Sequence, residues 1–369
     1  MNQTLSDYKD KVRGCLVGGA VGDALGYQIE FEIGIKPKQV TRFKNNKGII
    51  SDDTQMALFT ANALLWRETR LAIRGIALAP PEAICLGYFD WLRTQEKTDK
   101  HTPICWIEKI PELNVIREPG RTCLTALEER TKDDNGTLNF SRLINDSKGS
   151  GAVMRVAPIG LYIIPKEAGK IAGYSANITH GHPLAILSAF VMAKIIAYIV
   201  SENTKIETAV LRSIKDMMDW EPDYYENNRC HKLRWDTEKS ELKEILERAI
   251  KLAKENIEDT NAISQLGQGW VSEEALAIAT YSTIKHQDSF EDAVVSAVNH
   301  DGDSDTTGAL AGNIIGAKLG YNKIPDYYKN NIEIKDVMLE LADDMVNGVP
   351  IDKNGDVSDA TWLSKYWHL

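Results

Sequence analysis

Several things that would define other classes of protein are scarce or missing in this chain of 369 residues. Its five cysteines, Cys15, Cys85, Cys105, Cys123 and Cys230, are odd in number and form no CxxC pair, which excludes a zinc ribbon and argues against a disulfide framework. Free, buried thiols are expected instead. No apolar run is read as approaching the roughly 18 residues of a membrane span, since the most apolar stretch, Cys15 to Ile29, is interrupted by Asp23. The opening MNQTLSDYKDKVRG mixes acids and bases and lacks the basic start and apolar stretch of a signal peptide. A cytoplasmic protein without a membrane partner is therefore expected. Basic residues are in deficit, 43 against 53 acids, for a net charge of -10. Phosphates would be repelled by such a surface, so nucleic acid is not an expected partner, and an anionic substrate would need bound cations.

Strand-like alternation is almost absent, and what remains is helical periodicity. The pattern predicts helices over Asp10 to Gly26, Asp53 to Trp66, Pro81 to Arg93, Ala152 to Leu161, Pro183 to Val200, Lys205 to Met218, Glu238 to Glu255, Ser272 to Lys285, Phe290 to Val298, Thr306 to Leu319 and Ile334 to Met345. Two polar segments, 130–151 and 221–241, read as loops, the second as an exposed excursion between helices. Neither has the composition of a domain linker. The expectation is one compact all-α domain over 1–369, with its motif-bearing core at about 10–320.

Glycine is placed unevenly within that pattern. Gly14, Gly18, Gly22 and Gly26 recur every four residues in the first helix, and Gly308, Gly312, Gly316 and Gly320 do so near the end of the chain. Each glycine costs about 1 kcal/mol against alanine in a helix interior. Positions four apart share a face, so two such stripes predict two helix backbones in unusually close contact. If these helices run antiparallel, the end of the first lies beside the start of the second.

Acids gather where these helices begin and end. DGDSDTT, residues 301–307, places Asp303, Asp305 and the Thr306 hydroxyl at a helix start, and SDDT places Ser51, Asp52, Asp53 and Thr54 at another. Either cluster alone is explained equally well by helix capping. Together they offer a set of hard oxygen ligands suited to Mg²⁺, Ca²⁺ or Mn²⁺, and a cation is the natural way to hold adjacent acids together. Glu30 follows the first glycine helix, and antiparallel packing would bring it to Asp303 and Asp305 as a ligand or general base. A further element is the glycine-rich loop Ser147, Lys148, Gly149, Ser150 and Gly151. Its backbone N–H groups can face an anion with Lys148 close by, although it lacks the GxxxxGK[ST] pattern of a nucleotide-hydrolysing P-loop. His180 and His182 in THGHP have no cysteine or third histidine beside them, so substrate contact or capping is preferred to a zinc site.

These motifs, GCLVGGAVGDALGYQIEF, SDDTQMAL, PGRTCLTAL, KGSGAVMRVAPIGL, THGHPLAILSA, GQGWVSEEALAIA and AVNHDGDSDTTGALAGNIIGAKLG, resemble in kind and order those of the ADP-ribosylglycohydrolase family. The resemblance spans Gly14 to about Gly320 and matches the tail more loosely. It implies an all-α protein with two Mg²⁺ or Mn²⁺ ions that hydrolyses the bond between ADP-ribose and an acceptor, most plausibly arginine on an ADP-ribosylated protein, releasing ADP-ribose. By motif, the metal ligands fall on Ser51, Asp52, Asp53, Asp303, Asp305 and Thr306. The catalytic roles fall on Glu30 and Asp303, and substrate contact falls on Ser147, Lys148, Gly149, Ser150, Gly151 and His182. Asp301 stands where relatives have glycine, which would put a further carboxylate near the centre. The alternatives are a catalytically silent ADP-ribose-binding regulator, or an immunity or interaction protein acting on an ADP-ribosylating partner through the excursion around 221–240.

Overall fold

A computed structural model of the chain describes residues 4–31, 39–76, 78–97, 101–131, 143–222 and 229–367. The regular structure is helical throughout: α1 Leu5–Tyr27, α2 Asp52–Arg74, α3 Pro80–Thr94, α4 Arg121–Arg130, α5 Ala157–Tyr162, α6 Pro165–Ala176, α7 Pro183–Glu202 and α8 Ile206–Met218 in the first part. There follow α9 Arg229–Leu252, α10 Asp259–Ile263, α11 Ser272–Lys285, α12 Phe290–Val298, α13 Ser304–Leu319, α14 Asp326–Asn331, α15 Lys335–Asn347 and α16 Ala360–Tyr366. Among the described residues there are no strands, only isolated bridges such as Gly149 with Val271. The all-α expectation holds, and the buried apolar side chains form one continuous cluster.

At the centre, α1 and α13 pack more extensively than any other described pair of elements. They are antiparallel, and their glycines meet row by row. A Cβ on Gly14 would strike Gly316, one on Gly18 would strike Gly312, one on Gly22 would strike Gly308, and one on Gly26 would strike Ser304, in every case at backbone atoms. The seven glycines in these rows cost about 1 kcal/mol each in helix propensity, which is comparable with the whole stability of many domains. That cost is offset only because side chains would hold the two backbones apart. Asn313 adds a polar clasp, donating its amide to the Cys15 carbonyl at 2.8 Å.

The structure corrects several expectations. The most apolar helix is α7, which is long and apolar enough to span a membrane by composition, contrary to the reading that no run approached that length. Its most apolar window is 94% buried within the protein, so it serves as a core helix. The segment read as an exposed excursion is mostly α9. Its anchors Trp235, Leu242 and Ala249 are buried and fall seven residues apart, a spacing masked by the many charges between them. Trp235 packs edge-on against Trp220, with ring centroids 5.8 Å apart. Residues 223–228 of that excursion and 132–142 of the earlier polar segment lie outside the described residues. The helix expected over Ala152 to Leu161 is a 3-10 turn, Ser150–Ala152, followed by α5, which restarts with Pro158 in its first turn, where a missing N–H does no harm. Helices α4, α6, α10, α14 and α16 were not anticipated.

Candidate active site

The antiparallel glycine contact sets the site's geometry. It places Gly26, at the end of α1, against Ser304, at the start of α13. Glu30, in the turn after α1, is thereby carried to Asp303 and Asp305, and the carboxylate oxygens of the three lie within 4.8 Å of one another. Asp52 and Asp53, in the first turn of α2, feel the charge of Asp305 as their strongest carboxylate neighbour. The two acidic motifs, some 250 residues apart in sequence, therefore converge, and two helix N-termini point their positive ends at the cluster.

Capping does not account for these acids. Asp303 occupies the N-cap position of α13, yet its side chain makes no capping hydrogen bond. Its carboxylate is instead hydrogen-bonded by Ser150 from the glycine-rich loop and by Thr306. On α2 the cap is Ser51, whose hydroxyl accepts from the Asp53 N–H at 3.2 Å. That leaves both α2 carboxylates free of capping duty. Asp52 accepts from the Gly120 N–H at 3.2 Å. One oxygen of Asp53 and one of Glu30 are buried with no hydrogen-bond partner. Burial is the largest cause raising every one of these carboxyls. Asp303 is pushed up to about 6 and Glu30 to about 9, with the charge of Asp305 as the second cause. Asp52, Asp53 and Asp305 are raised well above the ordinary aspartate range.

Asp23 is the residue that sequence reasoning passed over. It is fully buried on α1 and accepts from the N–H of Ser51 at 3.0 Å and of Thr54 at 3.2 Å, and from the Thr54 hydroxyl. It thus ties the start of α2 to the glycine helix. An acid alone within a glycine-rich apolar stretch was the available signal. Asp301, by contrast, is exposed and is not one of the three acids, Glu30, Asp303 and Asp305, whose oxygens cluster together.

The glycine-rich loop forms the other wall. Gly149 pairs with Val271, the Ser150 N–H donates to the Trp270 carbonyl at 3.2 Å, and the Ser272 N–H donates to the Lys148 carbonyl at 2.9 Å. The two acids of the GQGWVSEEA motif have separate tasks. Glu273 pairs with the Lys148 ammonium, and Glu274 accepts from the N–H groups of Gln268 at 2.9 Å and Gly269 at 3.1 Å. The Gly149 N–H is taken by the Ser147 hydroxyl at 3.3 Å. His182 caps α7, its Nδ1 accepting from the Leu184 N–H at 3.1 Å. The histidine against the loop is His180, which is buried. A Cβ on Gly149 would lie 3.3 Å from its Nε2, and one on Gly151 would lie 3.2 Å from its Cε1.

A family model described as ADP-ribosylglycohydrolase matches residues 4–354. The chain belongs to the ADP-ribosylglycohydrolase family. Hydrolysis of an ADP-ribosyl linkage is the chemistry of that class, and the resemblance read from the motifs is upheld. Among relatives, ADP-ribosyl-(dinitrogen reductase) glycohydrolase of Rhodospirillum rubrum is 24% identical over 342 residues, covering 88% of this chain and 91% of that protein. The ADP-ribosylarginine hydrolase Tri1 of Serratia proteamaculans is 23% identical, covering 94% of this chain and 81% of that protein. A solved chain from an ADP-ribosylglycohydrolase-related protein complex superposes with a TM-score of 0.63 at 22% identity, over 93% of this chain and 99% of that one. At that identity the likeness speaks to the fold. For an ADP-ribosylglycohydrolase, a buried all-oxygen donor set with orphaned carboxylate oxygens fits a divalent cation better than any side-chain partner the chain supplies.

Proposed function

We propose that the protein hydrolyses the bond between the distal ribose of ADP-ribose and the side chain of an ADP-ribosylated protein, with arginine as the acceptor. The observation that carries this is the position of Asp303, which stands where a helix cap belongs and caps nothing, facing Glu30 and Asp305 instead. The acceptor reading is supported by the Serratia relative, an ADP-ribosylarginine hydrolase by name. Two Mg²⁺ or Mn²⁺ ions would be held by Ser51, Asp52, Asp53, Asp303, Asp305 and Thr306, and would supply the positive charge that keeps these acids ionised and a Lewis acid for water and ribose hydroxyls.

The chain's own groups would do the rest. Glu30, with a buried and unpartnered carboxylate oxygen, would take the proton from the attacking water. Ionised carboxylates around the anomeric carbon would tolerate the positive charge that develops on the ribose ring, as in glycosidases. Ser147 to Gly151 would seat the diphosphate, with Ser150 linking that seat to Asp303, although the Gly149 and Ser150 N–H groups expected to face the anion are engaged by the Ser147 hydroxyl and the Trp270 carbonyl. Lys148, paired with Glu273, would hold the loop's shape. His182 would contribute through the start of α7.

A panel of defined substrates, ADP-ribosylated on arginine, serine or a nucleic-acid base, assayed with and without Mg²⁺ or Mn²⁺, tests the reading. Cation-dependent release of ADP-ribose from the arginine substrate is expected. Tight binding of ADP-ribose without turnover of any linkage would instead mark a silent binder.

A further inference from the structure

Beneath the glycine-rich loop lies a buried positive charge, set against Cys123 and the Tyr88 ring. Arg155 is fully buried, and among the described residues no carboxylate pairs with it. Its Nη2 donates to the Thr179 hydroxyl oxygen at 2.6 Å and to the Ser175 carbonyl at 3.3 Å. Its Nη1 faces the sulfurs of Met56 at 3.6 Å and Cys123 at 3.7 Å. The guanidinium sits 4.3 Å from the centre of the Tyr88 ring, and its Nε has no acceptor. Arginine cannot shed its charge inside a protein, so such a residue is costly and calls for an explanation.

Thr179 carries the effect outward. Arginine only donates, so its bond to Thr179 occupies a lone pair and leaves the hydroxyl proton to be given elsewhere. The neighbours able to accept it are His180 Nδ1, at 2.8 Å, and the Cys123 sulfur, and a thiol sulfur is the weaker acceptor. Burial and the adjacent arginine both disfavour the imidazolium, holding His180 down to about 3. A neutral imidazole has a single N–H, and if Nδ1 accepts from Thr179 that proton must be on Nε2. Nε2 has no hydrogen-bond partner among the described residues, and it lies 3.3 Å and 3.5 Å from where a Cβ would stand on Gly149 and Gly151. Those two glycines leave its edge clear.

We infer that Arg155 and Thr179 are positioning residues that fix His180 as the Nε2–H tautomer, a neutral donor aimed at a phosphate or ribose oxygen of the ligand on the Gly149–Gly151 loop. The inference rests on the ADP-ribose reading above for the identity of that ligand, but the tautomer itself does not. In the full-length protein, nitrogen NMR of the His180 imidazole should show a protonated Nε2 and an unprotonated Nδ1. Thr179→Val, which removes the hydroxyl at constant shape, should mix the tautomers and weaken ADP-ribose binding by calorimetry about 10- to 100-fold, the scale of a hydrogen bond to a charged group. Thr179→Ser should restore both readouts. A protonated Nδ1 in the native protein, or an unchanged tautomer in Thr179→Val, overturns the inference, and the native spectrum decides alone if Thr179→Val does not fold. The expected tautomer in a protein that fails to bind ADP-ribose would overturn the functional reading and leave the relay intact.

Discussion

The two walls of the site handle charge in opposite ways. On the acidic wall, at the ends of α1, α2 and α13, carboxylates crowd together with oxygens left unpartnered. On the loop wall each surface charge has a partner: Lys148 has Glu273, Arg234 has Asp146, and Glu274 has two backbone N–H groups. Net compensation is what a fold achieves by itself, since an unpaired buried charge costs several kcal/mol. Where several like charges are crowded without compensation, a cation from outside the chain is needed to complete the site, whereas the single charge under the loop, Arg155, is held by Thr179, Ser175 and the Tyr88 ring. Charges on the acidic wall should therefore matter to chemistry, and paired charges on the loop wall should matter to shape.

The largest effect should come from Asp303. Asp303→Asn keeps the volume and removes one charge, and hydrolysis should fall by on the order of 10³-fold, the scale of losing one preorganised electrostatic group. The cation-free protein should melt no lower than the native one, because a like charge has left a crowded cluster. Full activity would remove the acidic wall from the mechanism. For Glu30→Gln the expected loss is on the order of 10²-fold in turnover. The pH profile is the sharper readout, because a lost base abolishes its acid limb whereas a misplaced ligand only shifts it.

A smaller effect, and one of defined sign, concerns stability. Asp23 and Asp303 are held up to about 6 against an ordinary 3.8, so between those values the folded chain binds more protons than the unfolded one. Stability from these groups is fully present below the unfolded value and is lost as pH rises through the folded one. The melting temperature of the cation-free protein should thus fall between roughly pH 4 and pH 7. Saturating Mg²⁺ or Mn²⁺ should raise it by a few degrees, and by more at pH 8 than at pH 5. Melting curves in chelator and in cation at both pH values check this. A pH-independent midpoint that ignores the cation would count against the crowded-acid picture.

How far the sequence disclosed this contrast depends on what pairs with what. The glycine rows were legible because a four-residue period has few other uses, and they announced a close contact; its antiparallel sense was a condition that the structure meets, and with it comes the approach of Glu30 to Asp303 and Asp305. Asp23 was not legible, because one buried acid looks like any other until its four hydrogen-bonding partners from Ser51 and Thr54 are in view. His180 and His182 are two residues apart, and sequence alone gave no way to tell the capping histidine from the one under the loop. Only the start of helix α9 was hidden by its charges: the helix expected from Glu238 begins at Arg229, and the buried Trp235 extends backwards the seven-residue spacing of Leu242 and Ala249. Local chemistry was readable throughout, whereas the division of labour between neighbours required their geometry.

Lys148 provides the finest test of the contrast. By position it is the natural phosphate ligand of the loop, and an unpaired lysine there would supply a full charge to the diphosphate. Its ammonium is instead bound to Glu273, which is nearly buried while the lysine is about one-third exposed. To serve the ligand, Lys148 would have to leave Glu273, whose other carboxylate oxygen already lacks a partner. Lys148→Met should therefore change ADP-ribose affinity by no more than about threefold, in keeping with the modest worth of a part-exposed ion pair. Glu273→Gln in the same background should recover most of any lost stability, since it removes the acid that the first change strands. Calorimetric titration of the single and double variants measures both. A loss beyond about tenfold on Lys148→Met, with melting unchanged, would show that the loop wall spends its charges on the ligand after all and would dissolve the distinction between the two sides.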